Sequence, residues 1–325
     1  MSKLIAVTIG DINGIGIDIF LSLFSANKIK NAVLFSNYIF ISNYLKKNKI
    51  NLKINLINGS LNNYTYKKNH LNLFSYKAKS NVENTFNSII YSHKETIKKK
   101  FIGIVTLPIR KDLIIKKINK HFIGHTEFLQ KLENKKNSNM ILIHDKIVVS
   151  PITTHIRINS VSKVLLKKNY FLTQISNLHK ILKIDLNIKD PKIIVSGLNP
   201  HAGENGKFGD EEIFINKLIK SLKSKKMNIT GTVSADSMLL NNKNYDCYVF
   251  MYHDQALIPF KYISKFSGVN YTGNLDVIRV SPDHGTAYSL KGTKDISYDS
   301  LKKCFILINK INKNKIKYNE SKKIS

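Results

Sequence analysis

Several features are scarce or absent in this sequence, and each narrows the class of protein. No apolar run approaches the ~20 residues that a membrane-spanning helix needs. The start, "MSKLIAVTIGD", lacks the apolar core and small-residue cleavage site of a signal peptide. Only two cysteines, Cys247 and Cys304, occur in 325 residues, neither in a CxxC pair. We therefore expect a soluble cytoplasmic protein with buried free thiols, and no disulfide framework, cysteine zinc site or membrane contact.

Acidic residues and arginine are also scarce. The chain has 22 Asp and Glu against 52 Lys and Arg, and its formal net charge is +30 at pH 7. Such a charge suits a nucleic acid or another anionic partner. The lysines are spread along the whole chain, however, and Lys, Asn and Ile are the residues that AT-rich codons specify. We prefer composition bias as the explanation and expect no specific nucleic-acid partner. A non-catalytic, basic nucleic-acid-binding protein is kept as an alternative.

Short β-branched runs alternate with amphipathic stretches along the chain. The runs "KLIAVTIG", "FIGIVTL", "DKIVVS", "PKIIVSG" and "YDCYVFMY" are apolar throughout, as in strands covered on both faces. "IDIFLSLF", "KDLIIKKI" and "EEIFINKLIKSL" predict helices. The polar, tyrosine-rich stretch 61–81 is interpreted as an excursion. The pattern predicts an α/β fold with a parallel sheet, and the length predicts two lobes.

Three of the predicted strands are followed by a histidine, and these are His155, His201 and His253. Residues just past the carboxyl ends of parallel strands gather along one edge of the sheet, where α/β proteins bind ligands. Three neutral imidazoles there could hold one divalent cation and leave coordination positions open for substrate. The alternative is three loop histidines that are hydrogen-bonded to backbone.

Two further loops contain candidate binding groups. "GDINGIG", from Gly10 to Gly16, follows a strand but does not have the GxGxxG spacing. It predicts a tight turn that brings backbone close either to a ligand or to another strand. "GHTEFLQKL" places His125 and Thr126 at a helix start, where free N–H groups suit an anion. The alternative there is a simple N-cap by Thr126.

A late segment adds polar groups that could meet a phosphate. These are Lys261, Asn270 and Arg279. Arg279 stands out because arginine is rare in this chain, although a surface salt bridge would explain it equally well.

Taken in order, six motifs resemble those of the 4-hydroxythreonine-4-phosphate dehydrogenase family of pyridoxal phosphate biosynthesis. They are "GDINGIG", "GHTEFL", "TTHIRI", "LNPHAGENGKFGDEE", "YHDQALIPFK" and "GVNYTGN…IRVSPDHGTA". The resemblance implies two α/β/α domains similar to those of isocitrate and isopropylmalate dehydrogenases, with the active site in the interdomain cleft. The approximate domains are 1–120 together with 280–325, and 121–279. It also implies a homodimer whose sites are shared between subunits.

The resemblance also implies a role for each matching residue. His155, His201 and His253 match the metal ligands, for one zinc, magnesium or cobalt ion. The matches to substrate-binding residues are His125, Thr126, Lys261, Asn270 and Arg279. Asp236 matches an aspartate near the family's site and is our candidate proton carrier. "PDHGTA" is similar to the adenosine-binding loop of related decarboxylating dehydrogenases, so NAD or NADP is expected at His284, Gly285, Thr286 and Ala287. This chain departs from the family pattern at Ile12-Asn13 and at Arg110, which leaves the roles of those two loops open.

The implied activity is NAD-dependent oxidation of 4-phosphooxy-L-threonine at its C3 hydroxyl, followed by decarboxylation. Some members of the family oxidise D-threonate or D-erythronate 4-phosphate, which carry a hydroxyl in place of the amine. Those substrates are the alternative for this chain.

Overall fold

The computed structural model describes residues 3–58, 64–241, 244–293 and 296–324. The described residues form twelve strands, β1 to β12: Ile5–Thr8, Ala32–Phe35, Ile54–Asn58, Leu71–Ser75, Gly103–Val105, Asn139–His144, Ile147–Thr153, Ile193–Ser196, Ile229–Val233, Cys247–Tyr252, Val269–Gly273 and Arg279–Pro282. They also form eleven α-helices, α1 to α11: Ile15–Ser25, Tyr38–Lys47, Asn81–Ile97, Lys111–Lys117, His125–Leu132, Val161–Leu165, Lys168–Ile184, Glu211–Ser224, Met238–Asn241, His253–Ser264 and Asp299–Ile324. Short 3-10 turns lie at Ile158–Ser160, Pro200–Gly206 and Tyr288–Leu290.

The chain divides into two compact units. Unit 1 comprises Met1–Asn134 and Leu275–Asn312, and unit 2 comprises Lys135–Asn274 and Lys313–Ser325. The sequence placed approximate boundaries at 120 and 279 and assigned the whole C-terminus to the first domain. Residues from Lys313 onward belong instead to unit 2, because Asn314 Nδ2 donates to the Asp185 carbonyl at 2.7 Å and Lys315 Nζ lies 3.6 Å from the Asp185 carboxylate.

Unit 1 contains a parallel sheet with strand order β3-β4-β2-β1-β5-β12. Strands β1, β2, β5 and β12 are buried along their whole length, as expected when helices cover both faces. Phe35 and Phe74 stack with ring centroids 4.7 Å apart in the core of this unit. The interpretation of 61–81 as an excursion is wrong, because β4 lies inside the sheet with Leu71, Leu73 and Phe74 buried. Residues 61–63 of that stretch lie outside the described part of the chain.

Unit 2 contains a mixed sheet with strand order β11-β6-β7-β10-β8-β9. Strand β10 is parallel to both of its neighbours, β7 and β8, whereas β6 pairs antiparallel with β7 and β11. Leu142, Ile194 and Phe250 belong to a buried cluster on this sheet, with Phe260 from α10 packed into it. All five predicted strand runs and all three predicted helices are present, so the prediction of an α/β fold is confirmed.

The two cysteines are free thiols and both are buried, as predicted. Burial raises the pKa of each thiol well above its usual range, so neither is ionised near neutral pH. Within the described ranges, no helix combines the length and the apolar character needed to cross a membrane.

Candidate functional site

Strands β7, β10 and β8 are adjacent and parallel, so their carboxyl ends meet at one edge of the unit 2 sheet. His155 comes shortly after β7, His201 follows β8, and His253 immediately follows β10 as the first residue of α10. Thr153 and Tyr252 are paired in register at the ends of their strands. The chain segments that carry His155 and His253 therefore leave the sheet side by side.

His155 and His253 line a common pocket of about 340 Å³, with ring centroids 5.5 Å apart. This volume lies near the lower end of the range for small-molecule sites. The walls also contain polar Thr153 and Thr154 and apolar Ile156 and Ile158. Asp254 lines the pocket as well, and its Oδ1 lies 2.6 Å from His253 Nδ1. A hydrogen on Nδ1 that is donated to Asp254 leaves Nε2 as the lone-pair donor of His253.

His155 and His201 both have left-handed backbone, with φ of 46° and 50°. The turn that carries His201 is left-handed over five consecutive residues, from His201 to Asn205. Positive φ is uncommon for residues other than glycine, and each such residue costs free energy that the surrounding structure must offset. Such strained positions concentrate at functional sites.

The described residues contain no group of three or more His, Cys, Asp or Glu side chains placed to hold a metal ion. The structure brings two of the three predicted ligands, His155 and His253, into one pocket and places His201 on a separate loop of the same unit. The chemistry of the donors suits a divalent ion, since imidazole nitrogen binds zinc and cobalt well.

In unit 1, Arg279 lies at the start of β12 and is only 3% exposed. Its Nε and Nη2 donate to Thr106 Oγ1 at 2.9 and 2.7 Å, and its Nη1 contacts Thr126 Oγ1 at 3.4 Å. Desolvation lowers the pKa of Arg279 to about 10, which still leaves it charged near neutral pH. Its burial removes the surface salt bridge as an explanation.

Helix α5 begins beside this arginine. Its N-cap is Gly124, which provides no side-chain cap, so Thr126 is not the N-cap and its hydroxyl contacts Arg279 instead. His125 is buried, and its Nε2 has no hydrogen-bond partner within the protein. Burial, with the nearby charges of Arg279 and Lys111, holds the pKa of His125 well below its usual value. Neutral His125, cationic Arg279 and the N–H groups of α5 form a site suited to an anion.

The remaining substrate and catalytic candidates lie in unit 2. Lys261 is exposed on α10, and Asn270 is partly buried on β11 with an Oδ1 atom that has no hydrogen-bond partner within the protein. Asp236 is exposed on the turn between β9 and α9. Among these three, Asn270 has the clearest signature of a ligand-facing group, because unpaired buried polar atoms are rare in folded proteins.

The glycine-rich loop Gly10–Gly16 packs against other chain segments of unit 1. A Cβ on Gly14 would lie 2.9 Å from the Thr286 carbonyl oxygen, which accepts a hydrogen bond from Ile15 N at 3.0 Å. The Tyr288 hydroxyl also donates to Asp11. The loop therefore supports the 284–287 segment. Within that segment Ala287 is left-handed, and a Cβ on Gly285 would meet nothing within 4 Å.

Sequence reasoning missed three residues that the structure places beside the candidates. Asp254 contacts His253, Thr106 holds Arg279, and Glu212 accepts hydrogen bonds from the loop before His201. Asp254 and Glu212 could have been found from the sequence, because "HDQA" and "GDEE" place them close to candidate histidines. No local pattern indicates Thr106, since it lies 173 residues from its hydrogen-bond partner Arg279.

Comparison with known proteins identifies relatives over nearly the whole chain. A 4-hydroxythreonine-4-phosphate dehydrogenase from Wigglesworthia glossinidia brevipalpis is 35% identical over 319 residues, covering 93% of this chain and 95% of that protein. A D-threonate 4-phosphate dehydrogenase from Pectobacterium atrosepticum is 37% identical over 202 residues, covering 61% of each chain. The crystal structure of 4-hydroxythreonine-4-phosphate dehydrogenase from Klebsiella pneumoniae has a TM-score of 0.81 at 28% identity and covers 96% of this chain and 100% of that one.

The family model described as pyridoxal phosphate biosynthetic protein PdxA matches residues 27–308. That range contains all the motifs quoted above except "GDINGIG", which precedes it. The predicted family and the predicted enzyme class, a dehydrogenase, are both confirmed. This chain belongs to the PdxA family.

Proposed function

We propose that the protein oxidises 4-phosphooxy-L-threonine at its C3 hydroxyl with NAD or NADP, and that decarboxylation then yields 3-amino-2-oxopropyl phosphate for pyridoxine 5′-phosphate biosynthesis. The observation that carries the proposal is the pocket lined by His155 and His253, at the carboxyl edge of parallel strands in a chain of this family. A nicotinamide cofactor accepts the hydride, and the protein places substrate and cofactor.

Arg279 is the proposed anchor for the substrate's phosphate. A guanidinium presents several N–H donors in a plane and matches phosphate oxygens well. The two threonine hydroxyls fix its orientation, and the start of α5 adds N–H groups and the free Nε2 atom of His125. Lys261 and Asn270 are proposed to complete substrate binding.

We propose that His155, His201 and His253 hold one divalent ion. Two of these residues share a pocket, and two have strained backbone of the kind found at functional sites. Zinc and cobalt suit three imidazoles better than magnesium does. When bound, the ion would polarise the C3 oxygen and offset the negative charge that develops as carbon dioxide leaves.

Asp236 is kept as the proposed acceptor of the C3 hydroxyl proton. The cofactor is proposed to bind at His284, Gly285, Thr286 and Ala287. The open space beside Gly285 supports this assignment, because a ligand can approach the backbone there closely. The buried thiols Cys247 and Cys304 are typical of a protein from a reducing compartment, and we propose the cytoplasm.

A homodimer is proposed on the basis of an exposed apolar surface in unit 2. Ile258 and Tyr262 are 71% and 84% exposed and lie one turn apart on α10, and Phe266, just beyond the end of the helix, is 59% exposed. Ile158, which lines the pocket, is 67% exposed. Exposed apolar groups of this kind mark interaction surfaces. Helix α10 begins at His253, which lines the pocket, so a second copy on this helix would be near the site, as a site shared between subunits requires.

D-threonate 4-phosphate is the second candidate substrate, favoured by the likeness to the Pectobacterium enzyme. It differs from the first by a hydroxyl in place of the amine. A site that pairs with the amine rejects the hydroxyl analogue, because a mismatched buried polar group is costly.

The metal proposal is tested by the variants His155→Ala, His201→Ala and His253→Ala, with His179→Ala on α7 as a matched control. We expect each of the three to lose bound metal and turnover, and the control to keep both. Wild-type metal content and turnover in all three variants would show the assignment to be wrong.

A further inference from the structure

The loop that carries His201 is wrapped around the side chain of Glu212. Glu212 is the second residue of α8 and is 3% exposed. Its Oε1 accepts from the backbone N–H groups of Leu198 and Asn199, both at 2.7 Å, and its Oε2 accepts from Asn199 Nδ2 at 3.0 Å. The sequence predicts only that "EEIFINKLIKSL" forms a helix. The hydrogen bonds that Glu212 accepts from the preceding loop are an additional role that the sequence does not indicate.

The carboxylate is held on a rigid support. Ile215 and Ile219 follow Glu212 at intervals of three and four residues and are buried, so Glu212 lies on the core-facing side of α8. Ser196, the last residue of β8, is also buried. Leu198 and Asn199 belong to the short segment that links β8 to the His201 turn. Their backbone N–H groups both donate to Glu212, which fixes the position of this segment.

The left-handed turn itself also closes on Glu212. A Cβ on Gly203, where φ is +80°, would lie 2.6 Å from Glu212 Oε2. Five successive left-handed residues cannot be stable by themselves, since each residue other than glycine costs about 1–2 kcal/mol in this conformation. Something outside the turn must offset this cost, and Glu212 accepts hydrogen bonds from the two residues shortly before the turn and lies close to its central residue, Gly203.

We propose that Glu212 is a positioning residue, whose carboxylate holds the strained turn that carries His201. This inference rests on the proposed function, because it takes His201 to be a ligand of the metal. Residues that orient a metal ligand through hydrogen bonds, without touching the metal, affect metal affinity by about 10- to 100-fold in known sites.

The test compares the variants Glu212→Ala and Glu212→Gln with the wild type. Alanine removes all three acceptor contacts, whereas glutamine retains the Oε1 acceptor and opposes its amide to Asn199 Nδ2. Zn²⁺ and Co²⁺ dissociation constants are measured by competition with a chelating dye, together with kcat and KM for 4-phosphooxy-L-threonine. We expect metal affinity to fall about tenfold or more in Glu212→Ala and by less in Glu212→Gln.

Glu211→Gln is the matched control. Glu211 accepts from Ser162 Oγ at 2.7 Å and from Asn199 Nδ2 at 2.9 Å, whereas the Leu198 and Asn199 N–H groups donate to Glu212. Its metal dissociation constant should stay within about twofold of the wild-type value. Wild-type metal affinity and turnover in Glu212→Ala would overturn the proposal, as would equal losses in Glu211→Gln.

Amide hydrogen exchange separates this proposal from the metal assignment itself. In the metal-free protein, peptides covering 197–206 should exchange faster in Glu212→Ala, and peptides of unit 1 should not change. If the wild type binds no metal, the proposed metal centre is wrong. Unchanged exchange of the 197–206 peptides in Glu212→Ala would overturn the role of Glu212, whether or not the wild type binds metal. Should Glu212→Ala fail to fold, Glu212→Gln carries the test, because it keeps the Oε1 acceptor and must still show weaker metal binding and faster exchange of 197–206 than Glu211→Gln.

Discussion

Replacing Arg279 by alanine tests the proposed phosphate site. Arg279 is buried and is oriented by two hydrogen bonds to Thr106 and a contact to Thr126. A hydrogen bond to a charged group contributes about 1.5–3 kcal/mol. The loss of two such bonds to the phosphate therefore amounts to about 3 kcal/mol or more, which corresponds to at least about a 100-fold fall in kcat/KM. Arg279→Lys keeps a charge but not the planar fork, so its loss should be smaller.

The discriminating measurement for Arg279→Ala is the binding of two different ligands. Steady-state rates give kcat/KM for the phosphorylated substrate, and fluorescence titration gives the dissociation constant of NADH. The proposed cofactor segment begins at His284, shortly after β12, so general damage to this region would weaken both ligands. We expect the NADH constant to change by less than about threefold, with Lys94→Ala, at an exposed position on α3, as the neutral control. Comparable losses for substrate and NADH would refute the phosphate role.

Three further predictions concern His125, Gly285 and Tyr262. The pKa of His125 is depressed in the folded state, so below about pH 6.5 the unfolded state binds a proton and the folded state does not. The free energy of unfolding should therefore fall as the pH drops below about 6.5, by up to about 1.4 kcal/mol per pH unit. Urea unfolding should show a flatter pH dependence in His125→Asn, and an identical slope would contradict this. Gly285→Ala meets nothing within 4 Å and should keep the wild-type unfolding midpoint but bind NADH about tenfold more weakly; unchanged binding would remove the cofactor assignment. Tyr262→Glu should shift the mass measured by light scattering from dimer to monomer, and an unchanged mass would exclude this surface.

The sequence predicted the parts of the fold that local patterns determine. Strands β1, β5, β7, β8 and β10 are continuous apolar runs, and the structure buries them nearly throughout. Strand β4 was missed because polar residues surround it. Its buried Asn72 is paired with Asn55 and Tyr64, so that a polar side chain is satisfied inside the sheet. Antiparallel β6 and β11 were missed too, since their pairing joins segments far apart in sequence.

The candidate site was predictable only to the level of which residues stand at strand ends. The positions of His155, His201 and His253 follow from the strand pattern. The left-handed turn at His201 does not, because the residues that lead into it are hydrogen-bonded to Glu212 on the following helix, and a local pattern does not encode that pairing. The threonine that orients Arg279 is equally hidden, since only the folded sheet brings β5 and β12 together.

The most direct test of the proposed function is a comparison of two substrates with the purified protein. NADH formation is measured with saturating Zn²⁺ or Co²⁺ and NAD, using 4-phosphooxy-L-threonine and D-threonate 4-phosphate in parallel. We predict a higher kcat/KM for 4-phosphooxy-L-threonine, because an amine that meets its partner avoids the cost of an unpaired buried polar group. A higher kcat/KM for D-threonate 4-phosphate would contradict the biosynthetic assignment, and no NADH formation with either substrate would contradict the proposed reaction as a whole.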